Sequence, residues 1–339
     1  MSDNDTITFG QTLLRTWSRF NVDALLRLNT AGEKNIPDKG PLLIAANHAS
    51  SLDAPVLSYF LPPTTWYVGP GDFKLIFPSN LIVKWSRTIR VKRANSLELE
   101  GLRRMIDVLK KGGMLLIFPE GGTWEKPLHQ AKEGVAYLSM VTQTPILPVG
   151  IGGAYGTWSE VFRLKRPMIS VKFGEVIPPV PQVAHAHRNA VLENATRDLM
   201  DRIYRLLPGP DQKRYDELAR RQYDLYTEIW RGDVPQMVDL PGRTALGELI
   251  QKPNLLNPFV RNAGLPIDPL RFHGRRFPVG ALQLAVKSLK NTRQPSLQEY
   301  LEYRLGSDKT TAIQFALDAL QQIANTEGVT GISLKPVWR

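Results

Sequence analysis

The stretch that decides the reading is P-L-L-I-A-A-N-H-A-S-S-L-D, Pro41 to Asp53. Pro41 to Ala46 is apolar without alternation and too short for a helix. It reads as a strand buried on both faces. The run ends on Asn47 and His48, with Ser50 and Asp53 following. At a strand-to-helix junction a His and an Asp five apart can reach one another. A carboxylate on one imidazole nitrogen fixes the tautomer and raises the basicity of the other. The free nitrogen can then take a proton from a hydroxyl, with no metal and no covalent serine. Taken alone the pair is a weak signal, because a loop histidine held by a carboxylate is the commoner origin of that spacing.

Outward from this stretch, short apolar runs alternate with helical ones. Trp66–Val68, Ile89–Val91, Met114–Phe118, Ile146–Ile151 and Met168–Phe173 read as strands. Residues 96–111, 129–142 and 188–207 read as helices, the first capped by Asn95 with Glu98 three residues on. Alternation of this kind predicts an α/β fold: a mixed sheet flanked by helices. Before it, residues 11–28 place Leu13, Leu14, Trp17, Phe20, Ala24, Leu25 and Leu28 on one helical arc, with Arg15, Arg19 and Arg27 opposite. Such a helix suits a membrane interface or a protein core equally well. After Pro208-Gly209-Pro210 the character changes. A charged helix over 211–231, a Pro- and Gly-rich stretch to 280, and helices at 280–291, 297–304 and 308–325 predict a mainly helical C-terminal extension. Three parts result: an amphipathic N-terminal helix (1–30), an α/β domain (31–208) and a C-terminal region (209–339).

The second chemical piece is F-P-E-G-G, Phe118 to Gly122, directly after a strand. Glycines let backbone N–H groups converge on an anion or polar oxygen, and Glu120 is an acceptor. In isolation it is also an ordinary glycine turn with a surface glutamate.

The order of these pieces resembles the glycerolipid acyltransferases, the 1-acyl-glycerol-3-phosphate acyltransferases and related lysophospholipid acyltransferases, over roughly residues 30–208. The family pattern N-H-x-S-x-x-D matches Asn47, His48, Ser50 and Asp53. Its second block matches at Arg93, its third at Phe118, Pro119, Glu120 and Gly121, and its fourth at Pro148 and Val149. The resemblance implies an O-acyltransferase of phospholipid biosynthesis. His48 would be the base and Asp53 its orienting partner. The donor would be acyl-CoA or an acyl-carrier protein, with no further cofactor and no metal. The acceptor would be a lysolipid such as lysophosphatidic acid. Asn47, Ser50, Arg93, Glu120, Gly121, Gly122 and Pro148 would form the substrate site, with Arg93 on a phosphate oxygen. Two family cations are missing. Gly122-Thr123-Trp124 stands where the third block usually continues with Thr and Arg, and Pro70 stands near the usual Lys, with Lys74, Lys92 and Lys126 as replacements. An acceptor whose phosphate is masked or differently placed is therefore expected. A catalytically weak membrane-associated scaffold is the alternative reading.

Charge narrows the partners. The chain has 339 residues, a net charge of +11 and no cysteine, which removes disulfides and thiol chemistry. Residues 251–300 hold eight basic and two acidic residues, among them Arg271, Arg275, Arg276, Lys287, Lys290 and Arg293. Such excess suits nucleic acid or an anionic membrane. With no zinc-finger or RNA-reading motif, nucleic acid is not expected. The acidic start M-S-D-N-D-T does not read as a secretory signal, and no run has ~20 predominantly apolar residues. The expectation is a cytoplasmic protein peripheral on the inner membrane face.

Overall fold

The computed structural model describes residues 9–71, 83, 85–91, 99–123, 127–128, 130–252, 255–256, 259–260, 275–291 and 296–338. The described residues divide into two compact units, the break falling between Ala219 and Arg220.

The first unit carries a seven-stranded mixed sheet. Its strands are β1 (Arg27–Ala31), β2 (Leu42–Ala46), β3 (Trp66–Pro70), β4 (Thr88–Val91), β5 (Met114–Ile117), β6 (Ile146–Gly152) and β7 (Met168–Phe173). The spatial order is β1-β7-β6-β2-β5-β3-β4. Only β6 and β7 pair antiparallel; the other neighbours run parallel. β2 lies at the centre, with Leu43 opposite Ile146 on one side and Leu42 opposite Met114 on the other. All five of its residues are buried, as an uninterrupted apolar run demands.

The pleat sends alternate residues of β2 into two cores. Leu43 and Ala45 pack with helices α3 (Leu99–Lys110), α4 (Gly134–Thr142), α6 (Arg188–Leu206) and α7 (Gly209–Arg220). Leu42, Ile44 and Ala46 pack with α1 (Phe9–Leu25) and α2 (Asp53–Phe60). Burying each large side chain contributes roughly 1.5–3 kcal/mol, so the centre of the sheet is its most stable part. A short helix, α5 (Thr157–Val161), links β6 to β7.

Three expectations need correction. The N-terminal helix ends at Leu25, and Arg27–Ala31 forms edge strand β1 instead, paired in register with β7. The first unit continues past Pro208 through α7, because Tyr215 and Leu218 are buried in its core. The expected helix over 211–231 stops at Arg220, and Tyr223–Arg231 is strand β8. The signal was present: Leu225, Thr227 and Ile229 are buried at a period of two, which no helix produces.

In the second unit β8 joins β9 (Val234–Val238), β10 (Arg276–Pro278) and β11 (Gly331–Trp338) in an antiparallel sheet of order β10-β11-β8-β9. Around it lie α8 (Arg243–Gln251), α9 (Val279–Lys290), α10 (Leu297–Leu305) and α11 (Ser307–Ala324). The unit is mainly helical, as expected, but its sheet was not foreseen. Ser296 and Glu299 cap α10 reciprocally, as their spacing predicted. Of the basic cluster, Arg271, His273 and Arg293 lie outside the described residues. Arg276 pairs with Asp233 and lies over Trp230, and Lys290 pairs with Asp318.

Candidate active site

β2 stops at Ala46 because the next residues turn their polar atoms inward. Asn47 is buried and clamps β6: its Nδ2 donates to the Ile151 carbonyl at 2.8 Å, and its Oδ1 accepts from the Ile151 N–H at 2.7 Å. His48 follows at the edge of this clamp. Its Nδ1 lies 2.9 Å from Asp53 Oδ2. The same oxygen accepts the backbone N–H groups of Ala49 and Ser50, both at 2.8 Å. Asp53 is the first residue of α2, where a negative charge meets the positive end of the helix. Its Oδ1 is buried with no hydrogen-bond partner. An ionised carboxylate satisfies both backbone N–H groups and pairs with the His48 tautomer protonated on Nδ1, which leaves Nε2 as the nitrogen without a proton.

Two further contacts hold the imidazole. Its ring stacks on Phe118, centroids 3.9 Å apart and planes 13° from parallel. Its own backbone N–H donates to Glu120 Oε1 at 2.6 Å. Glu120 is buried and sits in a tight turn in which Gly121 N–H donates to the Phe118 carbonyl at 2.9 Å. Pro119 suits the second position of that turn, and Gly121 adopts φ +75°, which side-chain-bearing residues resist. The β2–β5 pairing thus brings N-H-A-S-S-L-D and F-P-E-G together across the sheet.

A cavity of ≈ 280 Å³ opens beside His48. It lies among α1, α2 and the β3–β4 edge, and its walls include Leu14, Trp17, Tyr67, Val83, Trp85 and Phe118. Two cations, Arg15 and Arg87, join this apolar lining. Burial and then the neighbouring Arg19 charge lower the Arg15 pKa, so an anion beside it would be favoured. Burial raises the Tyr67 pKa and keeps that phenol neutral.

The other expected site residues fall into separate groups. Ser50 is spent on the loop: its Oγ accepts from the Leu52 N–H at 3.3 Å. Gly122 is buried next to the turn. Pro148 is a sheet residue opposite Ala45, its carbonyl accepting from Gly174 N–H at 2.9 Å, and it is not among the cavity walls. Arg93, with Lys74, Lys92, Trp124 and Lys126, lies outside the described residues. Pro70 lines the cavity.

Sequence reasoning missed Tyr215. Gly152 and Gly150 let Pro208 and Leu206 approach so closely that a Cβ at either glycine would clash at 2.3 and 2.6 Å. α7 then lies against the end of β6, where Asp211 accepts the Gly153 N–H at 3.0 Å. This sets the Tyr215 hydroxyl 3.5 Å from Asn47 Nδ2. Burial first, then the charges of Glu120 and Asp53, raise the Tyr215 pKa. No local pattern could have revealed a contact made 168 residues along the chain. Among the described residues no three His, Asp or Glu side chains converge to hold a metal.

The first unit thus presents a His–Asp pair at the end of a sheet strand, beside an apolar cavity. Residues 27–152 match the family model described as Acyltransferase. The chain is 27% identical to N-acylphosphatidylethanolamine synthase of Arabidopsis thaliana, over 38% of this chain and 47% of that protein. It is 26% identical to 1-acyl-sn-glycerol-3-phosphate acyltransferase of Saccharomyces cerevisiae, over 42% of this chain and 52% of that one. The chain spans about half the length of these curated relatives. A crystal structure of the 1-acyl-sn-glycerophosphate (LPA) acyltransferase PlsC from Thermotoga maritima shares 20% identity, covering 56% of this chain and 78% of that chain with a TM-score of 0.41.

Proposed function

We propose that this protein transfers an acyl group from a thioester, acyl-CoA or acyl-carrier protein, to a hydroxyl of a lysoglycerolipid. The observation that carries the reading is the His48–Asp53 pair at the end of an apolar cavity. His48 Nε2 takes the acceptor's proton while its oxygen attacks the thioester carbonyl. Asp53 stabilises the imidazolium that forms. The tetrahedral intermediate collapses by breaking the C–S bond, and the departing thiolate takes the proton back from His48. An ester and a free thiol result, with every proton accounted for.

The cavity suits an acyl chain, and its walls supply Arg15 and Arg87 for an acceptor phosphate. These two arginines stand in for the two cations that the family pattern leads one to expect near Pro70 and after Gly121. Lysophosphatidate or a related lysophospholipid is the acceptor class, and the protein works peripherally at a membrane surface of the cytoplasm. None of the helices among the described residues is long and apolar enough to cross a membrane. α1 buries Ser18 and Val22 while exposing Leu13, Trp17 and Phe20, which supports an interfacial helix.

Release of free thiol from acyl-CoA and acyl-carrier protein, measured against a panel of lysolipids, tests the reading. The panel includes phosphatidylethanolamine, because one relative is named for its N-acyl product. Thiol release that requires a lysolipid supports the proposal. Release with phosphatidylethanolamine alone, or with no acceptor in the panel, contradicts it.

A further inference from the structure

After α5 the chain exposes five consecutive residues, the apolar Phe162 and Leu164 and the cationic Arg163, Lys165 and Arg166. Phe162 is 79% exposed and Leu164 95%. Leu164 also adopts φ +58°, a left-handed conformation that a branched side chain rarely takes. The turn is nonetheless firmly built. Leu164 and Lys165 N–H groups donate to Val161 and Glu160 carbonyls at 2.9 and 3.0 Å. The Arg166 guanidinium donates to the Leu26 carbonyl at 3.0 Å and also to that of Asp23, while Arg27 Nε returns a bond to the Arg166 carbonyl at 3.0 Å. At the other end the Trp158 indole N–H donates to Ser51 Oγ at 2.9 Å, and Phe162 stacks on Trp158 at 5.7 Å.

The segment therefore runs from Ser51, a wall of the cavity beside His48, to the carboxyl end of α1. α1 carries Trp17, which lines the same cavity, and exposes Phe20 beside Arg19. Two apolar, cationic elements thus border the cavity.

We propose that the turn Trp158–Arg166 is a membrane contact that, with α1, seats the cavity mouth on an anionic bilayer. The composition selects this occupant. Trp, Phe and Leu settle at the boundary between headgroups and acyl chains, and Arg and Lys between them stay in the headgroup layer. Glu160 is the one acid in Trp158–Arg166. A second copy of the chain is a poor match, because a self-complementary contact would set Arg163, Lys165 and Arg166 against their own kind. The inference deepens the lipid-substrate reading, but its readout requires no turnover.

The test is co-sedimentation of the full chain with vesicles of phosphatidylcholine, with and without phosphatidylglycerol. Wild type is compared with Phe162→Ser/Leu164→Ser and with Arg163→Gln/Lys165→Gln. All four side chains are exposed, so each variant should keep the wild-type Tm. The proposal expects wild type to prefer phosphatidylglycerol vesicles, the apolar variant to bind roughly tenfold more weakly to both, and the charge variant to lose the preference. Unchanged binding in both variants overturns it, as does failure of wild type to sediment. A wild-type oligomer that Phe162→Ser/Leu164→Ser dissociates without vesicles also overturns it, making the turn a protein contact. Vesicle binding by a protein that releases no thiol would leave this proposal standing and sink the acyl-transfer reading alone.

Discussion

Asp53 and Glu248 are both buried carboxylates paired with nitrogen bases, one in each unit, and they do different work. Asp53 gives one oxygen to His48 and two backbone N–H groups, and the imidazole it holds lines an apolar cavity. Glu248 in α8 gives one oxygen to Lys252 at 2.7 Å and the other to Lys309. Two ammonium groups offset one carboxylate, and neither can accept a proton near neutral pH. Glu248 borders a cavity as well, of ≈ 760 Å³, but its walls include Arg221, Asp224, Arg243 and Asp308. A buried ion pair marks chemistry only when its partner keeps a basic atom free and faces a space that excludes water. Otherwise it fixes the position of helices.

Asp53→Asn should lower thiol release by roughly 10³-fold or more, because an amide no longer fixes the proton on Nδ1. A loss below tenfold would demote Asp53 to a loop anchor. Glu248→Gln should leave the rate per folded molecule unchanged and cost about 3 kcal/mol of stability at pH 7, since it breaks a buried ion pair with Lys252 by removing one partner. Urea midpoints read this directly. Burial opposes the charge on Glu248, but Lys252 and Lys309 together hold its pKa below the usual value. Its contribution is full above the unfolded pKa of about 4.3 and disappears as pH falls through the lowered folded value. The gap between Glu248→Gln and wild type should therefore close below about pH 4. A gap that widens in acid would reverse the assignment.

Smaller effects sharpen the site. Arg87→Gln should raise KM for a phosphate-bearing acceptor by about tenfold with kcat little changed, the signature of ground-state binding. An unchanged KM would remove Arg87 from the acceptor site. Gly121→Ala should cost about 1 kcal/mol in thermal or urea unfolding, because φ +75° strains any side chain. A neutral substitution would show that the Phe118–Gly121 turn can relax.

What the sequence disclosed follows the range of each interaction. The buried run Leu42–Ala46 and the His48–Asp53 pair are local, and both stand in the structure as their spacing predicted. Glu120 was legible as part of a motif, but its role as acceptor for the His48 N–H depends on β2 pairing with β5. The stacking of Phe118 on His48 and the arrival of Tyr215 depend on sheet register and on α7, which no window of residues reports. β8 was hidden because the charged helix Gly209–Arg220 runs almost directly into it. The apolar arc of α1 was readable, yet only packing showed that Ser18 and Val22 face α2 and the core while Trp17 and Phe20 face outward.

His48 as the base that activates the acceptor hydroxyl is the central claim. Its most direct measurement is lysolipid-dependent thiol release by His48→Ala beside wild type, on proteins of matching Tm. Wild type should release thiol, and His48→Ala should release none above the enzyme-free rate. Equal release by the two proteins would contradict it.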